Sequence, residues 1–160
     1  MAGMRTIKRR VHELLTQPDE GAALEAILSM DGKAVVGPLI SFLQSTDLAL
    51  QRRAVRAMGK VVSAMADTHV ESARIVMRRL MWSLNDESGG IGWGAPEAMG
   101  EIMAMNETLA GEYANILLSY VDEKGNYLEY EPLRRGAVQG IRRLAKARPH
   151  LVPSTLHLNP

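Results

Sequence analysis

Apolar residues return at helical spacing along most of the 160-residue chain. Ile7, Val11, Leu14 and Leu15 make one stripe, Leu24, Ile27 and Leu28 a second, and Val55, Met58, Val61 and Val62 a third. Steps of three and four residues put such side chains on one face of an α-helix and leave the polar residues on the other. The breaks between stripes carry turn and cap chemistry: Gln17-Pro18-Asp19-Glu20-Gly21, Met30-Asp31-Gly32, Ser45-Thr46-Asp47, Ala66-Asp67-Thr68, a glycine-rich run over 86–95, Asn106-Glu107-Thr108, and 122–130. The pattern predicts about eight helical pieces, the last incomplete. Pro38 is expected in the first turn of its helix, where no backbone donor is lost.

One short pattern occurs four times: Ala23-Leu24-Glu25-Ala26-Ile27, Ala54-Val55-Arg56-Ala57-Met58-Gly59, Ala95-Pro96-Glu97-Ala98-Met99-Gly100 and Ala137-Val138-Gln139-Gly140-Ile141. With Ile27, Met58, Met99 and Ile141 as equivalent anchors, the steps are 31, 41 and 42 residues, which suits a repeated two-helix unit. The first helix of each unit carries Ala or Gly one turn apart, letting a neighbouring backbone approach closely. The second helices, over 36–43, 70–84 and 109–121, are bulkier and more apolar.

Abundant Ala, Leu, Met and Arg, with Phe42, two Trp and four Tyr as the aromatic complement, favour helix over sheet. A chain of this length buries roughly 70% of its unfolded surface as one domain, so neither disulfides nor metal are needed for folding. With no cysteine, disulfides, thiolate zinc sites, iron–sulfur clusters and a cysteine nucleophile are excluded. Polar residues interrupt the segment after Arg5, Lys8, Arg9 and Arg10, unlike a signal peptide, and no run of apolar residues is long enough to span a bilayer. A cytoplasmic protein with no membrane contact is the expectation.

Net charge is +1, but the sum conceals bands: +3 over 1–18, −4 over 19–49, +5 over 50–80, −9 over 81–131 and +6 over 132–160. Opposite signs on neighbouring units either stitch one unit to the next or orient a charged partner, and the first of these is the stronger expectation.

Asp47 followed by Gln51-Arg52-Arg53-Ala54-Val55-Arg56-Ala57-Met58-Gly59-Lys60-Val61 resembles the acidic turn, arginine and small-residue pattern of the HEAT-like repeat family, including the short variety named after phycobilisome lyases. Ala34-Val35-Val36-Gly37-Pro38-Leu39-Ile40-Ser41-Phe42-Leu43 resembles that family's second helix. The resemblance covers about 19–155 and is sharpest over 31–62 and 93–104. It implies an all-α fold, a right-handed α-α superhelix of about four helical hairpins in a single domain: a capping helix over 1–18, then repeats over 19–45, 47–85, 86–122 and 130–156. Two departures stand out. Trp93-Gly94 replaces the Arg52-Arg53 of the second unit after a longer loop, and the fourth unit stops soon after Arg148-Pro149-His150-Leu151-Val152-Pro153, short of a full second helix.

Repeats of this kind carry many functions, so function has to come from side chains. Gly89, Gly90, Gly92 and Gly94 surround Ile91 and Trp93 in a segment that helical repeats do not require. Trp93, with Asp86 and Glu87 nearby, is the candidate anchor for a partner, against the alternative that it closes the core between units. Arg74 and Arg78 stack one turn apart with Trp82 a further turn along, a candidate groove for an acidic partner or phosphate. The blander expectation is ion pairs to Asp86, Glu87 and Glu112. Arg134, Arg135, Arg142, Arg143, Lys146 and Arg148 make a basic helix, though their stems equally cover apolar surface. Tyr113, Tyr120, Tyr127, Tyr130 and the ten methionines read first as packing.

His12, His69, His150 and His157 have no ligand spacing, so no metal or other cofactor is expected. Glu97 and Glu101, one turn apart, read as ordinary surface residues, and with no activated nucleophile in view the chain is not expected to be an enzyme. A non-catalytic protein-interaction scaffold or adaptor is the leading expectation, with another protein as partner and self-association through the unfinished C-terminal repeat as a variant of it. A DNA-binding or alkylated-DNA repair protein is the first alternative. Resemblance to HEAT-like alkylation-repair glycosylases implies a basic concave groove with Trp and Asp, for which Trp93 and Asp86 or Glu87 are the candidates. A tetrapyrrole lyase or chaperone subunit is the second alternative, carried by the repeat resemblance alone.

Overall fold

Side-chain caps fix most of the helix starts. Asp19 accepts from the Ala22 N–H at 3.0 Å, Asp31 from Lys33 at 3.2 Å, Asp47 from Ala49 at 3.0 Å and Asn106 from Leu109 at 2.9 Å. The computed structural model describes residues 3–156 and 158, with backbone alone at Asp86. It contains α1 (Met4–Thr16), α2 (Glu20–Leu28), α3 (Gly32–Leu43), α4 (Leu48–Thr68), α5 (Val70–Ser83), α6 (Ala95–Met105), α7 (Glu107–Ser119) and α8 (Glu131–Ala147). Short 3-10 turns occupy Asp86–Ser88 and Pro149–Leu151, and the described residues include no strand. The protein is all-helical, as its sequence predicts.

Two boundaries differ from expectation. The break expected at Ala66-Asp67-Thr68 falls at His69, because α4 runs on to Thr68. His69 both ends α4 and caps α5, accepting from the Ser72 N–H at 3.3 Å. Pro38 lies inside α3 rather than in its first turn, since Asp31 caps the helix earlier and Gly32 begins it. An interior proline forfeits one hydrogen bond, and here it is buried in the core, which offsets part of that cost.

The four copies of the short motif fall on α2, α4, α6 and α8 and point the same way. Four residues before each anchor, Ala23, Ala54, Ala95 and Ala137 are buried, and the anchors Ile27, Met58, Met99 and Ile141 are fully so. Small residues next to the anchors bring backbones together. A Cβ added to Gly100 would fall 2.5 Å from the Gly140 Cα, and one added to Gly59 would meet the Glu101 side chain. Paired positions climb together along the helices: Gly59 with Glu101, Ser63 with Met105, Glu97 with Gly136, Gly100 with Gly140 and Glu101 with Arg143. Hence α4, α6 and α8 run parallel, with α6 in the middle.

Ion pairs cross the same interfaces. Arg56 on α4 pairs side-on with Glu20 on α2, its Nε 2.8 Å from Oε1. Arg74 on α5 pairs with Glu112 on α7 at 2.7 Å, and Arg143 on α8 with Glu101 on α6 at 2.9 Å. Arg53 donates to the Leu15 carbonyl at 3.2 Å and to that of Gln17, and Arg148 to that of Met103 at 2.8 Å. The charge bands are thus engaged from unit to unit. After α8, the turn Pro149–Leu151 lies against α7 and α8, and Leu151, Val152, Leu156 and Leu158 pack on the core where a further helix was expected to begin.

Tyr113 and Tyr120 are buried, with the Tyr120 hydroxyl pushed up to about 12 by that burial, and Arg134 stacks 4.8 Å from the Tyr127 ring. Met58, Met77, Met99 and Met103 are fully buried, in keeping with their reading as core. No helix among the described residues is long and apolar enough to cross a membrane.

Candidate functional site

The glycine-rich loop between α5 and α6 is held by backbone contacts. Gly92 and Gly94 adopt φ of 75° and 77°, a region that side chains avoid. A Cβ at Gly92 would stand 2.6 Å from the Ser83 carbonyl oxygen, and one at Gly94 2.7 Å from that of Leu43. The loop therefore seats itself on the ends of α3 and α5 and delivers Trp93 to the start of α6. Trp93 is half-buried: its indole packs on the core and meets the Tyr130 ring edge-on at 5.6 Å. This packing fits the core-closing reading of the residue, and the same ring also walls a groove.

That groove, about 1190 Å³, lies across α4, α6 and α8. Its lining follows the repeat register. Six residues before the anchors stand Arg52, Trp93 and Arg135; two before stand Arg56, Glu97 and Gln139; two after, on α6 and α8, stand Glu101 and Arg143. Positions equivalent in the repeat register, on α4, α6 and α8 and in the turn that leads into α6, thus form three rows of one surface. Gln44, Ser45 and Thr46, just past α3, add a polar rim.

The charges in the groove differ in how firmly they are held. Arg143 is tied to Glu101, and Arg56 to Glu20. Arg135 pairs with Glu131 one turn away, Nε to Oε1 at 3.0 Å, and both side chains are more than half exposed. That hydrogen bond holds the Glu131 carboxyl below its ordinary range. Arg52 is exposed and makes no ion pair among the described residues.

Glu97 is no ordinary surface residue. It stands in the first turn of α6 with its carboxyl over Gly136, where an added Cβ would come within 2.8 Å of Cδ. Its Oε1 is buried with no hydrogen-bond partner among the described residues, and burial raises its pKa. The glycine of α8 makes room for this carboxyl, and the surroundings favour its neutral, hydrogen-donating form.

The other sequence candidates lie elsewhere. Arg74 pairs with Glu112 and Glu71, and Arg78 with Glu71 at 2.6 Å. These hydrogen bonds hold both carboxyls below their ordinary range, with Arg78 leading at Glu71 and Arg74 at Glu112. Of the expected partners Glu112 is used, and Glu71, on the same helix, supplies another. Glu87 makes no ion pair among the described residues, its N–H donating to Asn85 at 2.9 Å, and the Asp86 side chain lies outside the described residues. Trp82, 54% exposed, flanks a separate hollow with Ile40, Ile75, Arg78 and Arg79. That hollow shares no lining residue with the Trp93 groove, so Trp93 stands on one surface and Arg78 with Trp82 on another, while Arg74 and Glu87 line neither.

His69 serves as a cap and His12 lies 5.4 Å from the Phe42 ring, while His157 is outside the described residues. Sequence reasoning missed Arg52, Glu97, Arg135 and Gln139 as a group. The signal for them was present in the repeat register itself, which shows Trp93 standing in the row of Arg52 and Arg135.

No described protein family matches the chain, and no solved structure matches it. It is similar to an uncharacterized protein of Archaeoglobus fulgidus, 32% identical over 108 residues. The match takes in 68% of this chain and 52% of that protein, so the chain spans about half the length of the relative.

Proposed function

We propose that the chain is a non-catalytic protein-interaction module of HEAT-like repeat type, a right-handed superhelix of four units, and that a partner protein lies in the groove across α4, α6 and α8. The observation that carries this reading is the groove's repeated construction, in which Arg52 on α4, Trp93 just before α6 and Arg135 on α8 stand at the same register relative to the repeat anchors. A surface built on packed helices is ready-made, so binding spends little on ordering the protein. Trp93, half-buried and rigidly seated, is the anchor.

The test is capture with a photo-crosslinker placed at Gln139, which is exposed on the groove wall. A cross-linked segment that disappears in Trp93→Ala, with helicity by circular dichroism unchanged, supports the reading. Cross-linking indifferent to Trp93 and to Arg52 would exclude this groove as the binding surface.

A second reading, duplex nucleic acid, draws on the four arginines of the groove and on Trp93 standing one turn before Glu97. It predicts affinity for duplex DNA that falls steeply as salt is raised. Affinity that is absent at low salt removes it.

A further inference from the structure

Arg52 on α4, Trp93 just before α6 and Arg135 on α8 share one register relative to the repeat anchors, and this row is a ruler for whatever lies across the three helices. Packed helix axes are about 8–10 Å apart, so Arg52 and Arg135, two helices apart, are rooted roughly 16–20 Å from each other. An extended chain advances about 3.4 Å per residue and covers that distance in five or six residues. Resting on the interaction reading above, we propose that the groove takes an extended acidic peptide, with two carboxylates five or six residues apart meeting Arg52 and Arg135 and an apolar side chain between them resting on Trp93.

The distribution of charge selects this occupant. Arg52 is unpaired among the described residues, and Arg135 is held only by an exposed pair to Glu131 that an incoming carboxylate can replace. Arg56 and Arg143 are committed to Glu20 and Glu101. The cations free to act are therefore at the two ends of one row, with an aromatic ring between them. Glu97 and Glu101 lie on the next rows, where the evenly spaced charges of a phosphate backbone would run over carboxyl groups. A peptide places its charges singly and leaves those rows to neutral groups. Gln44 and Gln139, both exposed on the lining, supply amides for its backbone.

The experiment is selection from a display library of random peptides of about 12 residues against the full chain, long enough to cross three helices. Enriched sequences carrying two Asp or Glu five or six positions apart are expected. A synthetic member should bind about tenfold more weakly, by fluorescence anisotropy, to Arg52→Glu and to Arg135→Glu, and unchanged to Arg79→Glu on the separate hollow. Enriched peptides that lack the spaced acids, yet lose binding in Gln139→Trp, which fills the groove from its wall, overturn the acidic-peptide proposal and leave the groove reading standing. Failure to enrich any peptide, or binding unaffected by both Gln139→Trp and Arg52→Glu, overturns the two together. Displacement of the peptide by an equal concentration of duplex DNA at physiological salt transfers the groove to nucleic acid and overturns the proposal.

Discussion

Glu97 shows how much a single side chain can depend on a neighbour that sequence spacing hides. Read along its own helix, it is an acidic residue one turn from another; in the fold its carboxyl is pressed onto Gly136 of α8, with Oε1 buried and without a hydrogen-bond partner among the described residues. The folded protein keeps this carboxyl protonated to higher pH than the unfolded chain does, because burial penalises the charged form. Stability therefore falls as pH climbs from the ordinary carboxylate range through the raised value, and the loss is complete above it. Glu97→Gln removes that titration. The variant and the parent should differ least at low pH, and near neutrality the variant should be the more stable of the two, because its amide escapes the penalty of charging a buried carboxyl. Urea titrations at the two pH values measure the difference, and an equal stability at both would mean that the carboxyl finds a partner in solution. Nothing in the local sequence around Glu97 signals this environment, which depends on a glycine 39 residues further on.

Helices were the most legible level. Asp19, Asp31, Asp47 and Asn106 begin helices as their cap chemistry predicts, and the apolar stripes mark the buried faces. The exceptions are Thr68, an exposed residue that α4 runs on to include, and Pro38, buried inside α3 because the cap at Asp31 starts that helix earlier. The glycines of helices carry opposite meanings, and substitution separates them. Gly100 touches the backbone of Gly140, so Gly100→Ala pushes α6 off α8 and should cost about 3 kcal/mol, lowering the melting temperature by roughly 6–12 °C. Gly111, on the exposed side of α7, has nothing within 4 Å of an added Cβ. Gly111→Ala should instead stabilise by about 0.4–1 kcal/mol through the entropy of the unfolded chain. Thermal melts that ranked the two variants the other way would refute the close α6–α8 approach.

At the scale of the molecule, the alternating charge bands were visible in the sequence but their use was open. Glu20–Arg56, Arg74–Glu112 and Glu101–Arg143 now link the bands across helices 36, 38 and 42 residues apart. Such pairs are at least partly exposed, so salt should weaken them only modestly. Raising sodium chloride from low to about half-molar is expected to lower the melting temperature by a few degrees at most. A collapse of the fold would mean that ion pairs, rather than the continuous apolar core, hold the helices together. The groove was legible only in fragments, because Trp93 stood out in its glycine-rich segment while Arg52 and Arg135 have no local distinction and join it only through the repeat register.

The bare approach of Gly100 to Gly140 has one more implication. Two helices that meet through peptide groups leave no side-chain rotamers between them to rearrange, so the span from Trp93 to Arg135 is set by main-chain geometry. Replacements elsewhere in the interior can loosen or tighten the protein while this dimension stays constant, and a ligand matched to it would tolerate wide drift in the core.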